Sequence, residues 1–131
     1  MTNNILDIQN LSVGYENNKI LDDLNVSFQK GLSYCIVGKN GTGKSTFLKS
    51  IIGLIKPYSG NVLLEERDIT NTSIQERVSL GISYLGQKNN IFPRLKVYEH
   101  FNLVKDQDVS VIEEYIPEIL RLKNNYAGTL S

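Results

Sequence analysis

The chain has 131 residues, enough for one domain with its own core and too few to suggest two. Fourteen basic residues balance fourteen acidic ones, which leaves no global field to favour nucleic acid or an anionic membrane surface. Apolar runs fall well short of the about 20 residues that span a bilayer, Met1-Thr2-Asn3-Asn4 opens no signal-type apolar core, and a single cysteine excludes an internal disulfide. These features describe a soluble protein of the reducing cytoplasm.

Residues 5–13 alternate imperfectly between apolar and polar and predict a strand, followed by a polar turn at Glu16-Asn17-Asn18-Lys19. Residues 20–28 predict a second strand pairing nearby, with Leu21, Leu24, Val26 and Phe28 partly in phase. After a turn at Gly31, residues 32–37 form a compact apolar run, as a buried strand does. Cys35 within that run reads as a small core residue.

The next residues, Gly38-Lys39-Asn40-Gly41-Thr42-Gly43-Lys44-Ser45, read G-x-x-x-x-G-K-S. This is the phosphate-binding P-loop. Glycines let the backbone curl tightly enough to aim several N–H groups at one phosphate, and a helix beginning near Lys44 adds its positive dipole end. The Lys44 ammonium then reaches the β- and γ-phosphates, and the Ser45 hydroxyl ligates Mg²⁺. The alternative, a glycine-rich surface turn that binds nothing, leaves unexplained why a strand precedes the motif and a helix follows it.

From Thr46, the apolar residues Phe47, Leu48, Ile51, Ile52 and Ile55 recur at helical spacing until Pro57 ends the pattern. Lys56-Pro57-Tyr58-Ser59-Gly60 is a breaker, and residues 61–64 predict a short strand that opens a hairpin ending near Ile69. Residues 74–80 predict a short helix and residues 81–85 a buried strand. Residues 97–104 and 109–122 predict helical segments, the second kinked or divided at Pro117. Strands first and helices later suit an α/β domain with an antiparallel β portion at its N-terminus.

With these residues in view, the chain resembles the N-terminal part of an ATP-binding-cassette (ABC) ATPase, the motor subunit of ABC transporters. The P-loop is that family's variant, with Asn40-Gly41 before Thr42-Gly43 and Thr46 after Ser45. Upstream, Val13-Gly14-Tyr15 resembles the aromatic A-loop, so the resemblance implies that Tyr15 stacks on adenine. Stacking of a base on an aromatic ring is worth about 1–3 kcal/mol in nucleic-acid systems. A tyrosine capping the edge of the β portion is the alternative reading.

Downstream, Ile82-Ser83-Tyr84-Leu85-Gly86-Gln87 resembles the strand that leads into the Q-loop, which implies that Gln87 helps coordinate Mg²⁺ and moves with a transporter partner. Gly86 stands where the family commonly has proline, which loosens the loop, and a solvent-facing glutamine is the alternative. The segment Asn90-Ile91-Phe92-Pro93-Arg94-Leu95-Lys96-Val97-Tyr98-Glu99-His100 resembles the entry to the helical subdomain, where membrane subunits dock. Phe92, Leu95 and Tyr98 would supply apolar surface there, or local core under a loop. His100 reads as an exposed helical residue. The wording of residues 80–103 is most similar to the branched-chain amino-acid uptake and lipopolysaccharide-export ATPases.

The resemblance implies an α/β P-loop NTPase of the ABC ATPase type, with an N-terminal antiparallel β portion, the start of a helical subdomain and an incomplete sheet. Residues 1–131 would be a partial domain: 1–87 the β portion and half of the P-loop core, 88–131 the start of the helical subdomain. Only Leu130 and Ser131 of the signature motif L-S-G-G-Q are present, and the Walker B aspartate, the catalytic glutamate and the switch histidine have no counterpart in this sequence. In the family's sheet, strands of that other half lie between the P-loop and Q-loop strands, so residues 32–37 and 82–85 would flank an empty slot with unpaired backbone and exposed apolar faces.

The implied function is therefore ATP binding with Mg²⁺, without turnover, in a truncated subunit on the inner face of the cell membrane. Its partners would be transmembrane permease subunits and a second ATPase subunit. A non-transport ABC ATPase fragment and a non-enzymatic remnant acting through a partner chain are the alternatives. An unrelated P-loop kinase or GTPase would need its own base-recognition motif, and no N-K-x-D is present.

Overall fold

The computed structural model describes residues 3–88, 90–103 and 109–130. It falls into two compact units, Met1–Tyr84 and Leu85–Ser131. In the first unit, β1 (Asn4–Tyr15) and β2 (Asn18–Gln29) form an antiparallel hairpin, with Tyr15 opposite Asn18 across a two-residue turn. β3 (Ser59–Leu64) pairs antiparallel with the other edge of β1, and β4 (Arg67–Asp68) with β3, giving the order β2-β1-β3-β4.

The imperfect alternation of β1 has a physical cause. Side chains in a strand alternate with a period of two, so Leu6 and Ile8 share a face and an unbroken strand would put Asn10 and Ser12 beside them. Instead Asn10 takes a left-handed φ of 49° inside a register shift between Ile8 and Leu11. The shift moves Leu11 and Val13 into the core with Ile8. Polar side chains satisfy the disrupted ladder: Asn25 Oδ1 accepts from the Asn10 N–H at 2.8 Å, and Ser12 Oγ accepts from the Asp23 N–H at 3.1 Å.

Helix α1 (Lys44–Ile52) packs Phe47 onto this sheet, beside Ile8, Leu11, Val13, Val62 and Ile69. Leu48 is exposed, and the small polar residues Thr46 and Ser50 occupy buried positions instead. Gly53 ends the helix in a left-handed conformation, its N–H donating to Ser50 O, and the Leu54 N–H donates to Lys49 O. Helix α2 (Ile74–Ser79) starts at Ser73, whose hydroxyl accepts from the Glu76 N–H at 3.2 Å.

The two apolar runs read as buried strands, residues 32–37 and 82–85, join no ladder among the described residues. Leu32 is 60% exposed, Val37 83% and Leu85 83%. Cys35 is likewise exposed rather than core. An apolar run forms a buried strand only where neighbouring strands accept its hydrogen bonds and cover its faces. None does so here, which matches the unpaired, exposed backbone that the family resemblance implies for these segments. The first segment is held by Tyr34, whose hydroxyl accepts from the Gln29 N–H at 2.7 Å and whose ring meets Phe28 edge-on at 4.9 Å.

The second unit contains α3 (Val97–Phe101), α4 (Val109–Tyr115), α5 (Ile119–Leu122) and a 3-10 turn at Ala127–Thr129. Pro117 divides α4 from α5, as a proline without N–H must when the helix cannot continue through it. Residue 104, the expected end of α3, lies outside the described residues. The Glu99 carboxylate accepts from the Lys96 N–H at 2.6 Å and caps α3. The Ala127 N–H donates to Leu95 O at 2.9 Å, and the Val97 N–H donates to Asn125 O at 3.0 Å.

His100 is not the exposed helical residue its position suggests. Its Nε2 accepts from the Phe92 N–H at 2.9 Å, and its Nδ1 lies 3.0 Å from Lys96 O, so the half-buried ring ties α3 to the loop before it. Phe92 and Tyr98 are exposed and Leu95 is half-buried. Among the described residues, no helix is long and apolar enough to cross a membrane.

Candidate functional site

The P-loop runs from Gly38 into the first turn of α1, and its form follows from its composition. Gly41 and Gly43 take φ values of 85° and 95°, which side chains other than glycine hold only with strain. Gly43 is also crowded, because an added Cβ would lie 2.8 Å from Leu21 Cδ2 and 2.9 Å from Ile20 Cγ2. β2 therefore packs directly on the glycine that caps α1. The Thr42 hydroxyl donates to Lys39 O at 2.9 Å and closes the loop from within.

The N-terminus of α1 is chemically open. Gly43 supplies no side-chain cap, the first turn carries no acidic residue, and the first helical bond is the Phe47 N–H donating to Gly43 O at 2.8 Å. The N–H groups of Lys44, Ser45 and Thr46 accordingly have no acceptor among the described residues. The Lys44 ammonium donates to Gly38 O at 2.8 Å and to Lys39 O at 2.7 Å, arching over the loop. Orphan amides, a positive helix end and an ammonium beside the loop form a donor set for an anion with several oxygens, such as a polyphosphate. The Ser45 hydroxyl is exposed beside them, so the residues present fit a phosphate chain with a hard cation.

Beside this rim runs an apolar trough of about 530 Å³, lined by Leu24, Val26, Phe28, Ile36, Val37 and Phe47 among others. Its walls suit hydrocarbon and not phosphate. Gly38, Thr42, Gly43 and Lys44 form its P-loop edge.

Tyr15 ends β1 and is 47% exposed. Because β2 touches Gly43 through Ile20 and Leu21, the hairpin that carries Tyr15 abuts the P-loop. Gln87 belongs to the second unit, where its side chain is exposed and the preceding Gly86 accepts from Asn90 Nδ2 at 2.5 Å. Among the described residues, no cluster of His, Cys, Asp and Glu forms a metal-binding group.

Two residues outside the P-loop escaped the sequence reading. Arg77 is fully buried against the C-terminal end of α1, and the only hint in the sequence is a lone arginine in a short amphipathic helix. Tyr58 reaches the turn beside Tyr15, and in the sequence it is merely part of a breaker.

Comparison with known proteins agrees with this geometry. The profile of the family described as ABC transporter matches residues 21–131. The chain is 38% identical over 130 residues to a probable branched-chain amino acid transport ATP-binding protein, LivF, of Archaeoglobus fulgidus, covering 92% of this chain and 55% of that protein. It is 32% identical over 137 residues to the lipopolysaccharide export system ATP-binding protein LptB of Haemophilus influenzae, covering 97% and 57%. Among solved structures, a nucleotide-free ATP-binding cassette from an ABC transporter superposes with a TM-score of 0.77 at 27% identity, over 98% of this chain and 59% of that one. The ADP conformation of the cassette MJ1267 superposes with a TM-score of 0.76 at 27% identity, over 99% and 60%. The chain thus spans somewhat over half the length of these relatives. It belongs to the ATP-binding ATPase family of ABC transporters, whose P-loop NTPase fold it shares and whose N-terminal part it matches.

Proposed function

We propose that this chain binds ATP with Mg²⁺ at the P-loop, as part of the subunit that couples nucleotide binding to transport across a membrane. The observation that carries the reading is the set of unsatisfied N–H groups on Lys44, Ser45 and Thr46 under the Lys44 ammonium. Gly38, Lys39, Asn40, Gly41, Thr42 and Gly43 would wrap the phosphates with backbone N–H groups. Lys44 would exchange two carbonyl partners for phosphate oxygens, Ser45 and Gln87 would hold Mg²⁺, and Tyr15 would stack on the base. Mg²⁺ supplies charge neutralisation along the phosphates when bound.

Residues 1–87 serve as the β portion and half of the P-loop core, and 88–131 as the start of a helical subdomain. By themselves they bind nucleotide without turnover, since no residue of this sequence takes the roles of the Walker B aspartate and the catalytic glutamate. Transmembrane permease subunits and a second ATPase subunit are the proposed partners, at the cytoplasmic face of the membrane. The exposed runs at 32–37 and 82–85 favour one further reading, a non-enzymatic remnant that acts through another polypeptide seated on them.

A thermal melt with and without saturating Mg-ATP tests the proposal. Ligand at about 100 times its dissociation constant adds about 2.7 kcal/mol, a rise of several degrees for a chain of this size. A cooperative transition that ATP leaves unmoved would refute nucleotide binding. ATPase activity above background in this chain would refute binding without turnover.

A further inference from the structure

The turn that carries Tyr15 is fastened from outside the hairpin. Tyr58 lies between α1 and β3, in the same compact unit, and its hydroxyl donates to the carbonyl oxygen of Glu16 at 2.7 Å. Its backbone N–H donates to Ser12 O at 2.8 Å, so the whole residue is laid along β1. The turn needs such support. Glu16 takes a left-handed φ of 52°, a conformation that glycine or asparagine holds more readily than glutamate. A strained two-residue turn has neighbouring peptide orientations within easy reach, and a hydrogen bond to its first carbonyl selects one of them.

The peptide that Tyr58 holds joins Glu16 to Asn17, and it begins at the residue that follows Tyr15. Rotation of that peptide would swing the end of β1 and with it the Tyr15 ring. The other side of the hairpin is fixed by Ile20 and Leu21 against Gly43, so the turn is gripped at two points and Tyr15 stands between them. We infer that Tyr58 is a positioning residue for the base of the nucleotide, setting the direction of the Tyr15 ring relative to the P-loop. The inference rests on the proposed nucleotide site and on Tyr15 as its base-stacking residue.

The test compares two probes on the full chain, Mg-ATP and Mg-tripolyphosphate. Both engage the P-loop, and only the first has a base. Tyr58→Phe removes the hydroxyl and keeps the ring. It is expected to weaken Mg-ATP about two- to tenfold, the worth of one hydrogen bond, and to leave Mg-tripolyphosphate within twofold of wild type. Tyr15→Ala is expected to narrow the preference for ATP over tripolyphosphate further. Equal weakening of both probes by Tyr58→Phe would make Tyr58 a merely structural residue and overturn the inference. So would an unchanged preference in Tyr58→Phe beside a narrowed one in Tyr15→Ala. An unchanged preference in Tyr15→Ala would remove the stacking role and the inference with it, while wild-type binding of tripolyphosphate would leave the P-loop site standing.

Discussion

Arg77 donates from Nη1 to the carbonyl oxygens of Ser50 at 2.9 Å and Ile51 at 2.5 Å, closing the C-terminal end of the helix whose first residue is Lys44. Its Nη2 donates to Thr70 O at 2.7 Å and its Nε to the Thr72 hydroxyl at 3.3 Å. One side chain, 1% exposed, thus answers orphan carbonyls of α1 and joins them to the loop before α2. A cation suits the negative end of a helix. Burial lowers the guanidinium pKa from its usual value, and the Asp68 carboxylate opposes that shift.

Arg77→Met strips donors from several buried oxygens, each worth about 1–3 kcal/mol when left unpaired. The expected loss is about 3 kcal/mol or more, a fall in melting temperature of about 10 °C. Arg77→Lys, with a charge but no fork, should fall between wild type and Arg77→Met. A Met variant that melts within about 3 °C of wild type would show that the clamp contributes little.

Lys44 lends itself to the opposite separation of binding from stability. Its ammonium bonds to carbonyls of an exposed loop, where water can replace it. Lys44→Ala is therefore expected to melt within a few degrees of wild type while Mg-ATP affinity falls at least about tenfold, the worth of a charge-assisted hydrogen bond. Isothermal titration on the two proteins measures this, and equal affinities would remove Lys44 from the site.

Asp68 makes stability depend on pH in the acid range. Its carboxylate accepts from the Thr70 hydroxyl at 2.5 Å, the Thr70 N–H at 2.8 Å and Asn61 Nδ2 at 2.9 Å. These bonds, those from Thr70 foremost, hold its pKa below the ordinary 3.8. A carboxyl with a depressed folded-state pKa stabilises the fold fully above its unfolded value and loses that contribution as pH falls through the folded one. Melting temperature should therefore drop below about pH 4, and Asp68→Asn should flatten part of that drop. Asp22, lowered by hydrogen bonds from Lys19 and Ser12, leaves a residual slope in the variant. Identical profiles for wild type and Asp68→Asn would contradict this account.

The segment before the P-loop offers unpaired backbone and apolar side chains to any passing strand. The isolated chain is expected to self-associate at micromolar concentrations and above. Leu32→Lys places a charge where little packing is lost and should reduce association without lowering the melting temperature. Light scattering on both proteins decides it, and a monodisperse wild type at about 100 μM would refute the expectation.

What could be read without coordinates is what local chemistry dictates. The G-x-x-x-x-G-K-S wording demands a tight loop and a helix N-terminus, and α1 begins at Lys44. Alternation and turn residues located the hairpin and β3, and Pro117 divided α4 from α5, because these are short-range consequences of side-chain period and missing donors. Other features depended on who sits opposite whom. The Asn10 bulge that redirects Leu11 and Val13, the His100 bridge, the Arg77 clamp and the Tyr58 bond to Glu16 each join separate segments or shift a register. The runs at 32–37 and 82–85 show the limit most plainly. Their composition is that of buried strands, but burial and pairing belong to neighbours, and a strand without them is only an exposed apolar segment.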